Sequence, residues 1–100
     1  MSNIVELVSF TLKKGVSVSD FLLVSDQFNQ DFMSAQKGYI SRKLLLNNNT
    51  WTDMVLWESL EDAQNAAKAI YESAIGAEYI AFIEDEENDE LVYFSVERSY

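Results

Sequence analysis

The sequence contains two stripes of apolar residues with helical spacing, and each begins with the pattern Ser-x-x-Asp. In the segments around them, apolar and polar residues alternate with the two-residue period of strands. Ser17 with Asp20 and Ser59 with Asp62 form capping boxes, in which the serine side chain accepts from the backbone N–H three residues later. The first stripe consists of Phe21, Val24, Phe28, Phe32 and Ala35. The second is rich in alanine and consists of Leu60, Ala63, Ala67, Ile70 and Ala74. We expect two helices, which end at Gly38 and Gly76.

Four segments have strand character, namely residues 4–12, 39–46, 51–58 and 91–98. In the first, one face carries Ile4, Glu6, Val8, Phe10 and Leu12. In the second, Ile40, Arg42, Leu44 and Leu46 share a face, with Tyr39 on the other. In the third, one face carries Trp51, Asp53, Val55 and Trp57. Residues 47–50 are predicted to form a hairpin loop, because Asn tolerates the left-handed conformation. Residues 77–83 fit a helix or a strand, and Tyr79, Phe82 and Ile83 on one helical face favour the helix.

The order strand, helix, strand, strand, helix, strand predicts one ferredoxin-like α+β domain over residues 1–100. Its βαββαβ arrangement places a four-stranded antiparallel sheet under helices on one face. The second face of the sheet would expose Val5, Leu7 and Leu45, and an apolar patch of this kind is typical of an interface. We therefore expect a homodimer that packs sheet to sheet.

Charge and composition exclude several classes of protein. Seven Lys and Arg against 17 Asp and Glu give a formal charge of −10, so nucleic acid and anionic membranes are not expected as partners. The chain has no Cys and no His, which excludes disulfides, thiolate or imidazole metal sites and His-based triads. No apolar run approaches a membrane span and the amino terminus lacks a basic leader, so a cytoplasmic location is expected.

Cofactor and metal sites find no support in the sequence. No phosphate-binding glycine pattern is present. Residues 84–90 hold six acids, but without the spacing of a calcium loop, and we expect a solvated loop there.

Two short segments resemble a known family. Gly-Tyr-Ile-Ser-Arg-Lys-Leu at residues 38–44 and Trp-Glu-Ser-Leu-Glu-Asp-Ala at residues 57–63 look like the dimeric α+β barrel superfamily, within it the small antibiotic biosynthesis monooxygenase-type proteins. The resemblance implies cofactor-independent oxidation of electron-rich phenols or quinols, or haem degradation. It also implies that Trp57 lines a ligand cavity. Haem-degrading relatives use an axial His, which this chain lacks, and the cavity Asn of the family is absent from strand one, which offers Glu6 and Ser9.

Five residues are candidates for a site. Arg42 could bind a substrate oxyanion, or pair with Glu6, Asp53 or Glu58 on a neighbouring strand. Glu6, among apolar neighbours, could act as a base because desolvation raises the pKa of a carboxyl group. Tyr71 and Tyr79 could bound a planar ligand, and Trp57 is either a cavity residue or a core anchor.

Three functions remain open on these residues. The first is a cofactor-independent monooxygenase-like enzyme that holds a small aromatic or quinol-like substrate in an apolar cavity. The second is a non-catalytic dimer that binds a small hydrophobic ligand or serves as a structural module. The third is an isomerase or decarboxylase of the same superfamily with Glu6 or Asp53 as base.

Overall fold

The computed structural model describes residues 2–84 and 90–100, with only the backbone of Glu90. The strands are β1 (Ile4–Phe10), β2 (Tyr39–Asn47), β3 (Thr50–Trp57) and β4 (Glu90–Ser95). The helices are α1 (Val18–Asp31), α2 (Leu60–Ile70) and α3 (Ala74–Ile80), with a 3₁₀ turn at Met33–Ala35. The strands form one antiparallel sheet in the order β2-β3-β1-β4. The ferredoxin-like α+β prediction is confirmed.

Serine caps start the helices as predicted. The Ser17 hydroxyl accepts from the backbone N–H of Asp20 at 3.2 Å, and Ser59 accepts from that of Asp62 at 3.1 Å. These contacts satisfy N–H groups that the first turn of a helix leaves without partners. The Asn48 φ of 56° in the β2–β3 loop confirms the predicted left-handed residue.

The helix ends differ from the prediction. Helix α1 ends at Asp31, well before Gly38, and the 3₁₀ turn carries the chain onward. Gly38 has a φ of +83° and lies so close to the Asp62 side chain that a Cβ would overlap it. Helix α2 ends at Ile70 rather than at Gly76.

Gly76 lies inside α3, where a Cβ would collide with the Ile70 carbonyl oxygen. It therefore permits close packing and does not stop a helix. The predicted third helix is confirmed, but it begins at Ala74, behind a Ser73 cap, and ends at Ile80. Ile83, assigned to that helix, instead forms an isolated bridge with Leu12.

Strand β2 contains an irregularity that the alternation did not predict. Its register with β3 shifts between Tyr39 and Ser41, so Tyr39 turns into the core and packs edge-on against Trp57. Ile40 is 41% exposed, and the predicted face of these two residues was wrong. From Arg42 onward the predicted alternation holds, because the extra residue of the bulge changes the face only of the residues at and before it.

The inner face of the sheet packs against the helices as predicted for β1 and β3. Its buried residues are Glu6, Phe10, Trp51, Asp53, Val55 and Trp57. The aromatic side chains of α1 and α3 complete the core, with Tyr79 stacked on Phe28 at 4.4 Å between ring centroids. Strand β4 ends at Ser95, three residues before its predicted end, and the predicted loop at 84–90 lies, apart from Glu84 and the backbone of Glu90, outside the described residues.

No helix among residues 2–84 and 90–100 has the length and hydropathy needed to span a membrane.

Candidate active site

A cleft of about 730 Å³ lies between the inner face of the sheet and helices α2 and α3. Strand β1 contributes Glu6, Val8 and Phe10, so its alternate residues follow one another along the floor. The helical walls are mostly small or aliphatic, with Ala67, Ile70, Ala77 and Ile80. A volume of this size suits a small organic ligand, and the walls suit an apolar one.

Glu6 is the one carboxylate of this cleft with no cationic partner among the described residues. Its side chain is buried, and its Oε1 accepts a hydrogen bond from Trp57 Nε1 at 3.1 Å. Burial raises the pKa of Glu6, and the negative charge of Asp53 adds to this effect, whereas bonds from Trp57 and Tyr93 partly oppose it. Glu6 is therefore a carboxyl group with an increased affinity for protons.

The strand register explains these neighbours. Glu6 lies opposite Val55 on β3, and Trp57 and Asp53 are the two residues that follow and precede Val55 on the same face. Both therefore occupy diagonal positions relative to Glu6, within reach of its side chain. On the other side, Tyr93 of β4 lies opposite Glu6, and burial together with the negative charge of Glu6 raises the pKa of the Tyr93 hydroxyl.

Trp57 does not line the cleft. It is fully buried and donates a hydrogen bond to Glu6, which does line the cleft, and the ligand contact implied by the family resemblance stays a prediction. The indole N–H fixes one oxygen of the carboxylate, and the ring packs in the core. Trp57 is thus a buried core residue that also donates a hydrogen bond to Glu6.

Arg42 is bound within the protein by a dense set of contacts. Its Nε donates to Asp53 Oδ1 at 2.8 Å, and Nη2 donates to Ser25 Oγ and the Tyr79 hydroxyl, each at 3.0 Å. Nη1 donates to the Ser25 carbonyl at 3.3 Å. The guanidinium also lies over the Phe28 ring, 5.3 Å from its centroid. The predicted ion pair is confirmed, and its partner is Asp53.

Tyr79 completes this network from α3. Its hydroxyl donates to Asp53 Oδ2, and burial together with the Asp53 charge raises its pKa far above the usual value. Burial alone would lower the pKa of Arg42, but the charge of Asp53 and the hydrogen bonds to Asp53 and Tyr79 keep that pKa above the usual value. The network stays ionised at Arg42 and neutral at Tyr79, and it joins four elements beside the cleft.

The two predicted tyrosines have different environments. Tyr79 is 4% exposed and presents part of its ring to the cleft from inside the core. Tyr71 is 78% exposed and lies at the rim, directly after α2. Tyr79 therefore forms part of the wall of the cleft and Tyr71 part of its rim, and their contact with a planar ligand stays a prediction.

Sequence reasoning missed Ser25 and Tyr93. Ser25 lies between Phe21 and Phe28 on the buried stripe of α1, and a polar residue in that position is a detectable signal for a buried hydrogen bond. Tyr93 had no such signal, because its contact with Glu6 depends on the register of β4.

Among residues 2–84 and 90–100, no group of three or more His, Cys, Asp or Glu side chains is placed to hold a metal ion.

The fold is similar to that of several solved structures. SnoaB of Streptomyces nogalater, a cofactor-independent oxygenase, superposes with a TM-score of 0.76 at 15% identity, over 99% of this chain and 97% of SnoaB. A proposed antibiotic biosynthesis monooxygenase of Nitrosomonas europaea gives 0.71 at 11% identity, over 96% and 91% of the two chains. A proposed monooxygenase of Shewanella loihica gives 0.64 at 21% identity, over 99% of both.

No protein-family model and no curated protein matches the sequence. At these identities the structural similarity defines the fold. The resemblance predicted from residues 38–44 and 57–63 is thereby confirmed at that level: the chain has the α+β fold of the antibiotic biosynthesis monooxygenase-type proteins.

Proposed function

We propose that the chain is a cofactor-independent oxygenase that acts on an electron-rich aromatic or quinol-like substrate in the cleft, with Glu6 as its general base. One observation carries this proposal. Glu6 is a buried carboxylate in an apolar cleft, it has no cationic partner among the described residues, and its pKa is raised. A base with a raised pKa removes protons more effectively near neutral pH.

The remaining contacts of Glu6 support this role. Trp57 donates to Oε1 at 3.1 Å, which fixes the orientation of the carboxylate while the second oxygen is available to a ligand or to Tyr93. Positioning of this kind contributes to catalysis because the reacting groups need no reorientation. The apolar walls of the cleft suit the aromatic rings of such a substrate.

The reaction balances without a redox cofactor. Glu6 takes a proton from a ring methylene of the substrate, and the resulting carbanion supplies the electron pair that forms a C–O bond with dioxygen. The peroxide anion takes that proton back from Glu6. The O–O bond then breaks as the second C–H proton leaves, which yields a carbonyl group and one water molecule. Both C–H bonds of the methylene carbon are replaced by bonds to oxygen, and each replacement removes two electrons from the substrate. Dioxygen is the oxidant.

Oxygen consumption with anthrone as substrate tests the proposal. We expect turnover by the purified chain without added cofactor and in the presence of a chelator, with one atom of labelled dioxygen in the product carbonyl. Glu6→Gln keeps an acceptor for Trp57 but removes the base, so it should abolish turnover. Glu58→Gln, at an exposed position, is the matched control. Equal turnover in the two variants, or none in the wild type, contradicts the proposal.

A second candidate, ligand binding without turnover, is favoured by the Arg42 network. Arg42, Asp53 and Tyr79 are polar groups of the cleft, and each is bound within the protein. These contacts leave none of the three residues free to act with Glu6 on a ligand. Under this alternative, anthrone binds and is recovered unchanged under air, and mass spectrometry of the extracted ligand separates the two functions.

A further inference from the structure

The two ends of the cleft along strand β1 differ in the charge of their side chains. The lining includes Glu6, Val8 and Phe10, and then Lys13 just beyond the end of the strand. At about 3.3 Å per residue, the Cα atoms of Glu6 and Phe10 are roughly 13 Å apart, and Lys13 lies further along. The cleft therefore has a carboxylate at one end, an ammonium group at the other and apolar side chains between them.

The backbone at Lys13 is held in place. Its N–H donates to the Phe82 carbonyl at 2.9 Å, directly after the bridge between Leu12 and Ile83. On the other side of this bridge, the Glu84 N–H donates to the Thr11 carbonyl at 2.8 Å. Lys13 is thus an exposed side chain on a backbone position fixed against the segment that follows α3.

Arg42 is the other cation of the cleft lining, and its charge is already paired with Asp53. Four of its five N–H groups donate to Asp53, Ser25 and Tyr79. The pair of Arg42 and Asp53 is the one ion pair of the described residues, so Lys13 is the cleft cation that these residues leave for a ligand.

We infer that Lys13 binds the anionic end of an elongated ligand whose other end presents its acidic proton to Glu6. The ligand class is an aromatic compound of more than one ring with a carboxylate at one end and, at the other, the acidic ring methylene of a substrate or the hydroxyl of a phenolic probe. This inference rests on the proposed function and names the substrate class of that site. The cleft volume of about 730 Å³ is large enough for such a molecule.

Two probes that differ in one charge test the inference. Hydroxynaphthyl butanoic acid carries the phenol and the carboxylate, and its methyl ester is the uncharged counterpart. Titration by calorimetry gives the affinity of each probe for the wild type, for Lys13→Met, for Lys13→Glu and for Lys14→Met. Lys14 is the matched control because it is exposed, adjacent and absent from the lining, and its loss changes the net charge equally.

We expect the wild type to bind the acid about fivefold more tightly than the ester, the scale of an exposed ion pair. Lys13→Met should remove this preference, Lys13→Glu should reverse it, and Lys14→Met should retain it. Ester binding should be the same in all four proteins, and their melting temperatures should agree because both lysines are exposed.

The outcomes separate the two proposals. The role of Lys13 is overturned, and the proposed function stands, if the wild type binds the acid no more tightly than the ester. The same conclusion follows if Lys14→Met loses the preference for the acid to the same extent as Lys13→Met. If neither probe binds the wild type, the role of Lys13 is overturned, whereas the proposed function is decided by the turnover of anthrone.

Discussion

The indole N–H of Trp57 donates to Glu6 Oε1 at 3.1 Å, between side chains on adjacent strands that are both shielded from solvent. The bond stabilises the ionised carboxylate and so limits the rise in its pKa. Trp57→Phe removes the donor, and we expect the pKa of Glu6 to rise further. Titration of the Glu6 side-chain carboxyl by NMR measures this change.

Trp51→Phe is the control for that experiment, because Trp51 is also a buried indole of β3 but lies opposite Phe10, at the other end of β1. It should lower stability through lost packing and leave the Glu6 titration in place. A pKa that stays constant or falls in Trp57→Phe would show that the hydrogen bond does not act on the charge of Glu6.

Stability should depend on pH through Glu6. The folded pKa is raised above the ordinary value of 4.5, so the folded state binds the proton more tightly than the unfolded state. The contribution of protonated Glu6 is complete below that value and is lost as the pH rises through the folded pKa. Relative to Glu6→Gln, the wild type should therefore lose stability as the pH rises from about 4.5 through the folded pKa of Glu6.

Urea denaturation of both proteins across this range gives the difference in unfolding free energy. Glu58→Gln, at an exposed position, corrects for general effects of pH and charge. A constant difference between wild type and Glu6→Gln from acid to neutral pH would mean that burial does not disfavour the ionised form of Glu6.

The Arg42–Asp53 pair should be costly to break from one side. Arg42→Met leaves Asp53 buried without its cation, and such changes typically cost about 3–5 kcal/mol. The double variant Arg42→Met, Asp53→Leu removes both charges, and we expect it to recover part of that loss. Chemical denaturation of Arg42→Met, of Asp53→Leu and of the double variant measures the coupling energy. Additive losses would contradict a direct interaction.

The outer face of the sheet should form the subunit interface. Val92 and Phe94 are 39% and 51% exposed there, beside Val5 and Leu7 on β1. Light scattering should give twice the mass of 11.4 kDa for the wild type. Phe94→Glu should give the monomer, because it places a charge in an apolar interface. Leu23→Glu, at an exposed position of α1, should remain dimeric. A monomeric wild type would exclude this interface.

The sequence predicted which strand residues lie on the buried face of the sheet better than it predicted which side chains form ion pairs or hydrogen bonds. Alternation along β1 and β3 correctly placed Glu6, Asp53 and Trp57 on one buried face, because a two-residue period survives wherever the strand is regular. The choice of Asp53 as the partner of Arg42 required the register between β2 and β3. Arg42 lies opposite Val55, and Asp53 is the residue that precedes Val55 on the inner face of β3. Spacing within one strand carries no information about that register.

The errors also have physical causes. Tyr39 and Ile40 exchanged faces because a bulge inserts a residue without a compositional signal. Gly76 was taken for a helix end, yet its role is close approach to Ile70, a contact between two helices that local sequence does not reveal. In both cases tertiary contacts decided the local structure.

Anaerobic mixing of the protein with anthrone tests the central role of Glu6 most directly, since it separates proton removal from the reaction with dioxygen. The account predicts that the wild type forms the coloured substrate anion, seen by its absorbance, and that Glu6→Gln binds the substrate without forming it. Equal amounts of anion with both proteins, or none with a wild type that binds anthrone, would contradict Glu6 as the base.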